Sequence, residues 1–391
     1  MEEVDEMISE RRVPDLHRLT VSTWLDEILI RICVALQLTR TQHSEAESHY
    51  LAVSRWLTAD GSSLARFQQS IYPQGSLRIG TTVRPWGREE YDLDLVLELS
   101  FGDLEFTDPI RLLDALERRL RTHGVYAPLV ERKNRCIRLN FAHQFHLDVL
   151  PARTDDKLGG TCILVPDCEV RGWKHSNPKG YAGWFENAGT RELEYKELRA
   201  ASVEPIPLPE EAQDKNALQL AVQLMKRRRD LAFSDRQDLA PISIVLTTLA
   251  GTFFNGETNP LAALSAIVRS INAAIPSTGR LVVCNPANPL EDLSERWDRD
   301  PEAYDAFVRS MRLFVAELAQ LELERGIPNA TAALERMFGE ELARAAVVRH
   351  ARDIELNRQS RSLGVSKSGL LTPASAAPAI VIRSNNFYGG R

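Results

Sequence analysis

The sequence has few cysteines and no long apolar run, and both shortages restrict the class of protein. Its 391 residues include five cysteines, an odd number with no C-x-x-C pair, so neither a disulfide framework nor a common zinc motif is indicated. The first thirty residues lack the apolar core of a signal peptide. The most apolar stretch, 242–254, is shorter than the ~20 residues of a membrane span. We therefore expect a cytoplasmic protein with no membrane role.

Positive charge is not in excess either. The chain has 48 Lys and Arg against 54 Asp and Glu, a formal net charge of −6. This balance argues against a protein whose whole surface binds a nucleic-acid backbone, although it leaves room for a local basic cleft. At roughly 150 residues per domain the length predicts two or three compact units, and 43% hydrophobic residues can form their cores without disulfides.

The spacing of apolar residues changes along the first half of the chain. Helical spacing over 21–57 predicts two helices or one long bent helix, and a short helix is expected over 62–70. Strict alternation then predicts strands, and a helix at 109–123 is expected to cross the back of their sheet. The predicted strands are 92–99, 136–141 and 145–150. This pattern favours an α+β lobe with a small mixed sheet.

The second half is predicted to be mainly helical. The segment 171–185 is rich in Gly, Pro, Asn and aromatic residues and is interpreted as an ordered loop. Helical periodicity follows over 218–230, 241–254, 260–274, 301–323 and 331–348. We predict four regions: N-terminal helices that pack on both lobes (1–60), a catalytic lobe (61–205), a helical lobe (206–360) and a flexible C-terminal tail (361–391).

Three acidic residues are the main candidates for chemistry. Asp92 and Asp94 are two apart on a predicted strand, so both side chains project from one face, about 7 Å apart. Asp148 is an acidic residue in a later, otherwise apolar strand. If the two strands are neighbours, three carboxylates converge. Oxygen ligands of this kind suit Mg²⁺ or Mn²⁺, and two such ions together can act on a phosphate.

A glycine–serine turn lies upstream of these acids. The segment from Gly75 to Thr81 is neither a Walker A loop nor a G-x-G-x-x-G turn. Gly75 permits close backbone approach, and Ser76 is placed to bind a terminal phosphate at the start of a helix. Each of these features alone is common in structural roles. In combination, a Gly-Ser turn, a D-x-D strand and a later strand Asp have few structural explanations.

These motifs resemble a known enzyme family. The segments GSLRIGTTVRPWGREEYDLDLVLEL, HLDVLPA, HSNPKGYAGWF, LQLAVQLMKRRRD and PISIVLTTLA, within about 51–323, look like the bacterial cGAS/DncV-like nucleotidyltransferases (CD-NTases) of the DNA polymerase β-like superfamily. The resemblance implies an α+β, bilobal fold in which a mixed-sheet catalytic lobe faces a helical lobe.

The resemblance also implies roles for individual residues. Asp92, Asp94 and Asp148 would be the catalytic metal ligands. The nucleotide-binding residues would be Gln74, Gly75, Ser76, Lys226, Ser243, Asp167 and Asn177. Of these, Gly75, Ser76, Lys226 and Ser243 would contact the triphosphate, and Asp167 and Asn177 the base. Hydrogen bonding by His175 and stacking on Trp173, Tyr181 or Trp184 are weaker candidates, because core packing explains the aromatic residues equally well. Lys226 begins a run of four basic residues, and we expect the other three to be solvated because one helix cannot direct all four into one cleft.

The implied activity is the joining of ribonucleoside triphosphates into a cyclic di- or trinucleotide second messenger, with release of pyrophosphate and two Mg²⁺ or Mn²⁺ ions as cofactors. In this family the product activates an effector encoded in the same anti-phage (CBASS) operon. No zinc insertion is evident, so no obligatory DNA activator is expected. An E1/E2-like ligase that acts on a C-terminal tail with Gly389 and Gly390 is a further expected partner, although Arg391 departs from a free diglycine end.

Three alternatives remain open at the level of the sequence. The first is a template-independent RNA-tailing polymerase, which needs a basic RNA path that the net charge does not indicate. The second is an adenylyl-transferring enzyme that modifies a protein or a small molecule. The third is a nucleotide-binding module that has lost activity, which three retained carboxylates disfavour.

Overall fold

The structure is a computed structural model of the whole chain. It describes residues 24–84, 91–100, 106–141, 145–189, 203–208, 212, 214–324 and 326–360, and the backbone of three short strands between 363 and 381. Within these residues it places a mixed sheet beside a group of packed helices. The prediction of an α+β fold is confirmed.

A seven-stranded sheet forms the first part of the fold. The strands are β1 (Gln68–Gln74), β2 (Tyr91–Ser100), β3 (Val130–Arg132), β4 (Ile137–Phe141), β5 (Phe145–Thr154), β6 (Ile163–Asp167) and β7 (Gly172–Ser176). Their order is β1-β2-β5-β4-β3, and β6 pairs with the end of β5 and with β7. The pairing of β2 with β5 is parallel and the other described pairings of this sheet are antiparallel. The strands that carry the acidic residues are therefore immediate neighbours.

The described residues contain twelve α-helices. They are α1 (Trp24–Leu36), α2 (Arg40–Thr58), α3 (Gly75–Arg78), α4 (Ile110–Arg121), α5 (Pro178–Gly189), α6 (Ala217–Ala232), α7 (Ser243–Phe253), α8 (Pro260–Ala274), α9 (Arg296–Arg299), α10 (Pro301–Leu323), α11 (Ile327–Phe338) and α12 (Glu340–Gln359). A small hairpin, β8 (Cys284–Asn285) with β9 (Asn288–Asp292), lies between α8 and α9.

Two large apolar cores underlie the two lobes. Helices α2 and α4 pack on one face of the sheet, where Tyr50 and Leu116 are buried in one cluster with strand residues such as Leu147. Helix α1 belongs instead to the second core, where Ile28 is buried together with α6, α8 and α10. The first two helices thus contribute to different cores. The four-region division of the chain remains a prediction.

Two sequence-based assignments around β1 and β7 are wrong. Residues 62–67 form turns and β1 follows, so the expected helix over 62–70 does not form. Strand β1 contains Pro73, which an edge strand tolerates, and β1 is the edge of this sheet. The expected loop over 171–185 is instead β7 followed by α5. Asn177 Oδ1 accepts the Gly180 N–H before Pro178 opens the first turn, which is a standard helix start.

The expected single helix over 331–348 is also wrong. The chain forms α11 and α12, and Gly339 between them has a φ of +101°. Residues other than glycine rarely adopt this conformation, so the helix is interrupted there. The remaining predicted helices are confirmed with small changes in their ends.

The region of the predicted flexible tail contains three short strands. They are β10 (Leu363–Val365), β11 (Leu371–Pro373) and β12 (Ile380–Val381), and β10 pairs antiparallel with the other two. Gly389, Gly390 and Arg391 lie outside the described residues, so the prediction of a conjugated tail is not tested. Across the described part of the chain, none of the helices combines the length and apolar character that a membrane crossing needs.

Candidate active site

Two of the three acidic residues face each other across the parallel strand pair. In the register of β2 and β5, Asp94 lies directly opposite Asp148, and Asp92 lies opposite His146. Leu93 is buried on the other face of the sheet, as alternation along β2 requires. Like charges directly opposite one another destabilise a sheet unless something compensates them. The arrangement therefore calls for positive charge at this point.

The glycine–serine turn is packed against Asp94. Gln74, the last residue of β1, lies opposite Asp94, and Gly75 then starts the one-turn helix α3. Gly75 has a φ of +66°, and a Cβ built there would lie 2.3 Å from Asp94 Oδ2. Ser76 Oγ accepts a hydrogen bond of 3.1 Å from Thr82. The turn and the carboxylates thus form one site.

Arg138 on β4 supplies positive charge to this site. Its Nε and Nη2 donate to the two oxygens of Asp148 at 2.7 and 2.8 Å, and Nη2 also lies 3.2 Å from Asp92 Oδ1. His146 Nδ1 lies 3.3 Å from the same Asp92 oxygen. Burial, followed by the negative charges of Asp148 and Asp94, raises the pKa of the nearby Cys136 thiol well above its usual value. That thiol therefore stays neutral.

The carboxyl group of Asp94 has a strongly perturbed pKa. Burial contributes most, and the negative charges of Asp148 and Asp92 add to it, so that the pKa of Asp94 rises to about 8. Arg138 and Lys226 act in the opposite direction without cancelling the rise. At neutral pH the ligand-free site therefore retains a proton that a bound cation would displace.

Lys226 is buried beside the turn. Only 3% of the residue is exposed, and its Nζ donates to the backbone oxygen and the hydroxyl of Thr81 at 3.0 and 3.1 Å. Burial, reinforced by the charge of Arg229, lowers the pKa of Lys226 to about 7, while Asp230 and Asp94 oppose this decrease. Lys226 thus connects helix α6 to the loop that follows the glycine–serine turn.

The other basic residues of α6 are not solvated, so that expectation is wrong. Arg227 donates to the Phe338 carbonyl at 2.9 Å and Arg228 donates to Glu317 at 2.9 Å. Arg229 donates to Asp230 and to the hydroxyl of Ser243. Guanidinium groups on different faces of one helix find separate partners within a helical lobe, which the run of charges alone does not reveal.

The two predicted base-binding residues have protein partners. Asp167 is 1% exposed, and Arg135 donates to its Oδ2 at 2.7 Å while two backbone N–H groups bind its Oδ1. Burial alone would raise the pKa of Asp167, but these hydrogen bonds hold it below its usual value. Asn177 is 5% exposed and bonds to Thr161, to Ala287 and to the first turn of α5. That they contact a base stays a prediction.

The aromatic and histidine candidates near these residues also make packing contacts. Tyr181 hydroxyl hydrogen-bonds to Thr248 at 2.9 Å, and Trp184 packs against α7 so closely that a Cβ on Gly251 would lie 2.6 Å from its ring. The Trp173 ring lies under the Arg153 guanidinium. His175 Nδ1 lies 2.8 Å from Asp155. The packing interpretation of the aromatic residues accounts for these contacts.

Four residues of the site were missed in the sequence, namely Cys136, Arg138, His146 and Thr81. Alternation along β4 does place Arg138 on the polar face between Ile137 and Leu139. However, only the pairing of β4 with β5 shows that this face meets Asp148. Periodicity defines a face, whereas strand order defines its neighbours.

The donor chemistry of the site fits a hard divalent cation, since Asp92, Asp94 and Asp148 offer carboxylate oxygens only. Burial and then the negative charges of Asp148 and Asp92 raise the pKa of Asp94, so a bound cation would stabilise this group of carboxylates. Among the residues that the structure describes, no three His, Cys, Asp or Glu side chains stand in a ready-made metal-binding arrangement. The Arg138 guanidinium instead binds the oxygens of Asp148.

Comparison with known proteins identifies the family of this chain. The sequence profile of the Second Messenger Oligonucleotide or Dinucleotide Synthetase domain matches residues 20–188. The chain is 32% identical over 371 residues to a c-di-GMP synthase of Roseivirga ehrenbergii, covering 94% of this chain and 98% of that protein. It is 29% identical over 396 residues to the cyclic dinucleotide synthase CdnG of Bradyrhizobium diazoefficiens, covering 91% and 90%.

Solved structures of similar proteins point to the same family. The structure of the Bradyrhizobium diazoefficiens CdnG in complex with GTP superposes with a TM-score of 0.68 at 27% identity, covering 84% of this chain and all of that one. Escherichia coli DncV in its 3′-deoxy GTP bound form gives a TM-score of 0.53 at 17% identity over 88% and 90% of the two chains, and so supports the fold alone. Because the chain is 32% identical to one relative over 94% of its own length, it belongs to the bacterial cGAS/DncV-like nucleotidyltransferases, the CD-NTase enzymes that synthesise cyclic oligonucleotides.

Proposed function

We propose that this enzyme joins two molecules of GTP into cyclic di-GMP with release of pyrophosphate, as the signal of an anti-phage system. The proposal of guanine is supported by the relatives, one of which is named a c-di-GMP synthase and another of which was solved with GTP. The observation that carries the chemistry is the direct opposition of Asp94 and Asp148 beneath the Gly75 turn.

The three carboxylates would hold two Mg²⁺ or Mn²⁺ ions. When bound, such ions supply activation of the attacking ribose hydroxyl and charge neutralisation at the leaving pyrophosphate. Asp92 and Asp94 project from one strand and Asp148 from its neighbour, so the set offers oxygens from two sides. Asp94 would lose its proton as the cations bind, since its raised pKa results partly from the uncompensated charges around it.

The remaining residues would orient the triphosphate. The backbone at Gly75 and Ser76 reaches the carboxylates closely enough to place phosphate oxygens beside them. Lys226 and Ser243 would bind the triphosphate from the helical lobe. Because the pKa of Lys226 is about 7, the amine is only partly charged in the free enzyme, and a triphosphate of about four negative charges would favour its charged form.

The reaction is tested by incubating the purified protein with each labelled ribonucleotide, alone and in mixtures, with Mg²⁺ or Mn²⁺, and then resolving the products. We expect GTP alone to give a phosphatase-resistant cyclic dinucleotide and pyrophosphate. The double variant Asp92→Ala, Asp94→Ala should give none, whereas Asp60→Ala, which changes an exposed carboxylate on a turn, should retain the activity. An unchanged product from the double variant would overturn the proposed site.

The same experiment addresses the alternatives. Labelled RNA added with ATP would be extended by an RNA-tailing enzyme and left unchanged by a cyclic dinucleotide synthase. A linear or trinucleotide product would retain the site but replace the proposed product. Mass spectrometry of the chain after co-expression with its operon tests the expected E1/E2-like ligase, since conjugation would add mass at the C-terminus.

A further inference from the structure

Arg138 binds two of the three carboxylates that are proposed to hold metal. Its guanidinium forms a two-pronged ion pair with both oxygens of Asp148, at 2.7 and 2.8 Å, and reaches Asp92 at 3.2 Å. The Arg138 side chain is 20% exposed and Asp148 is 14% exposed, so this ion pair is largely shielded from solvent. A forked, shielded pair of this kind is among the stronger protein ion pairs.

The backbone fixes this contact. Arg138 lies directly opposite Asp148 in the antiparallel pair of β4 and β5, and Asp148 lies opposite Asp94 in the next pair. On its other side Arg138 lies opposite Glu131 of β3, but Lys133 and Asn140 donate to the Glu131 carboxylate at 2.6 and 3.2 Å. The observed hydrogen bonds of Arg138 therefore go to β5 and β2, the strands that carry the acidic residues, and not to β3.

The Arg138 guanidinium and a metal ion would need the same carboxylate oxygens. Both oxygens of Asp148 accept from Arg138, and one oxygen of Asp92 is shared by Arg138 and His146. One guanidinium supplies a single positive charge, whereas the proposed pair of divalent ions supplies four.

We propose that Arg138 is a positioning residue that holds Asp148 and Asp92 in the metal-free enzyme and competes with the divalent cation for Asp148. This inference rests on the proposed function, because it takes the carboxylates as metal ligands. It also has a consequence for the order of binding. A triphosphate offers the guanidinium another anionic partner, so nucleotide would release Asp148 and strengthen metal binding. Free metal alone would bind weakly.

The test is direct titration of Mn²⁺ into the nucleotide-free protein, with unbound Mn²⁺ measured by electron paramagnetic resonance. We expect Arg138→Met to bind Mn²⁺ at least about tenfold more tightly than the unchanged protein, because the competing cation is gone. A matched control is Arg132→Met, whose guanidinium pairs with Asp114 and Glu117 of α4 and should not affect Mn²⁺ affinity. Asp148→Asn should abolish the tight binding.

A second Arg138 variant covers a failure to fold, and a nucleotide analogue tests the order of binding. If Arg138→Met does not fold, as judged by thermal unfolding, Arg138→Lys retains the charge without the fork and should give an intermediate affinity. A non-hydrolysable GTP analogue should increase Mn²⁺ affinity more in the unchanged protein than in the Arg138 variant.

Equal or weaker Mn²⁺ binding in the Arg138 variants, with normal binding in the unchanged protein, would overturn the competition and leave the proposed function intact. Absence of Mn²⁺ binding in every variant, with and without the analogue, would overturn the metal site and the inference together.

Discussion

Gly75 lies so close to Asp94 that a Cβ at its position would be 2.3 Å from Oδ2 of that carboxylate. Real side chains do not approach this closely, so Gly75→Ala must displace either the turn or the Asp94 carboxylate. We expect at least about a hundredfold loss in the rate of product formation, since small displacements of reacting groups are costly. The positive φ adds about 1–2 kcal/mol of instability. The measurements are initial rates with labelled GTP and the midpoint of thermal unfolding.

Gly61 offers a matched control. It also has a positive φ, +85°, but a Cβ at this position would meet no atom within 4 Å beyond its own chain neighbours. Gly61→Ala should therefore cost similar stability and leave the rate unchanged. If both variants lost activity equally, the backbone conformation and not the contact with Asp94 would be the cause.

Asn177 provides a test of whether a predicted base contact is structural. Its Oδ1 accepts from the Gly180 N–H and from Thr161, and its Nδ2 donates to the Ala287 carbonyl. We expect Asn177→Ala to destabilise the protein by about 2 kcal/mol, because a helix cap and a buried hydrogen bond are lost together. Chemical denaturation measures the free energy of unfolding.

The nucleotide preference of the same variants separates the two roles. Asn177→Asp retains the cap and should recover about half of the lost stability. Under the structural role, both variants should select among ATP, GTP, CTP and UTP as the unchanged protein does. A change in that selection without a loss of stability would show that Asn177 binds the base.

The strands that carry the acidic residues could be predicted because alternation is a local property. Asp92 and Asp94 alternate with buried Leu93 and Leu95 of β2, and Asp148 lies between buried Leu147 and Val149 of β5. That the two strands are neighbours was a condition of the prediction, and the parallel register of Asp94 with Asp148 fulfils it. Pairing depends on the order of strands in the sheet, which no local pattern encodes.

The features that the sequence did not predict also depend on the arrangement of the whole fold or on ambiguous local signals. Strand β1 was missed because Pro73 disfavours a strand except at an edge, and edge position is a property of the whole sheet. Helix α5 was missed because its glycines and aromatics are typical of a loop, although Asn177 and Pro178 form a normal start signal. Arg138 was missed because its significance comes from the strand beside it.

Gly339 separates two helices that sequence periodicity would join. Its φ is +101° and its ψ is 140°, and a Cβ there would lie 3.1 Å from Nη2 of Arg227. We expect Gly339→Ala to lower the free energy of unfolding by about 1–3 kcal/mol. Gly183 in α5 is the control, since nothing lies within 4 Å of its Cβ position and its φ is not positive. Gly183→Ala should stabilise the protein by up to about 1 kcal/mol. Equal effects would contradict the backbone argument.

The buried amine of Lys226 should make stability depend on pH in a definite direction. Its pKa is lowered to about 7 in the folded protein from an ordinary value near 10.5. Between these values the unfolded chain binds more protons than the folded one, so stability rises with pH from about 7 to about 10.5. Below pH 7 the cost of burying the charged amine is fully present.

Lys226→Met removes this dependence, and its comparison with the unchanged protein isolates it. The free energy of unfolding of the unchanged protein, relative to Lys226→Met, should increase by a few kcal/mol as the pH rises from about 7 to about 10. Asp94 adds to this increase. In Lys226→Met the lost positive charge raises the pKa of the Asp94 carboxyl further, so the variant continues to lose stability at a pH where the unchanged protein no longer does. Lys157→Met, at an exposed position, should show no such trend. A difference between Lys226→Met and the unchanged protein that stayed constant with pH would mean that the amine remains charged, and the proposed triphosphate site would then contain a lysine that is already protonated.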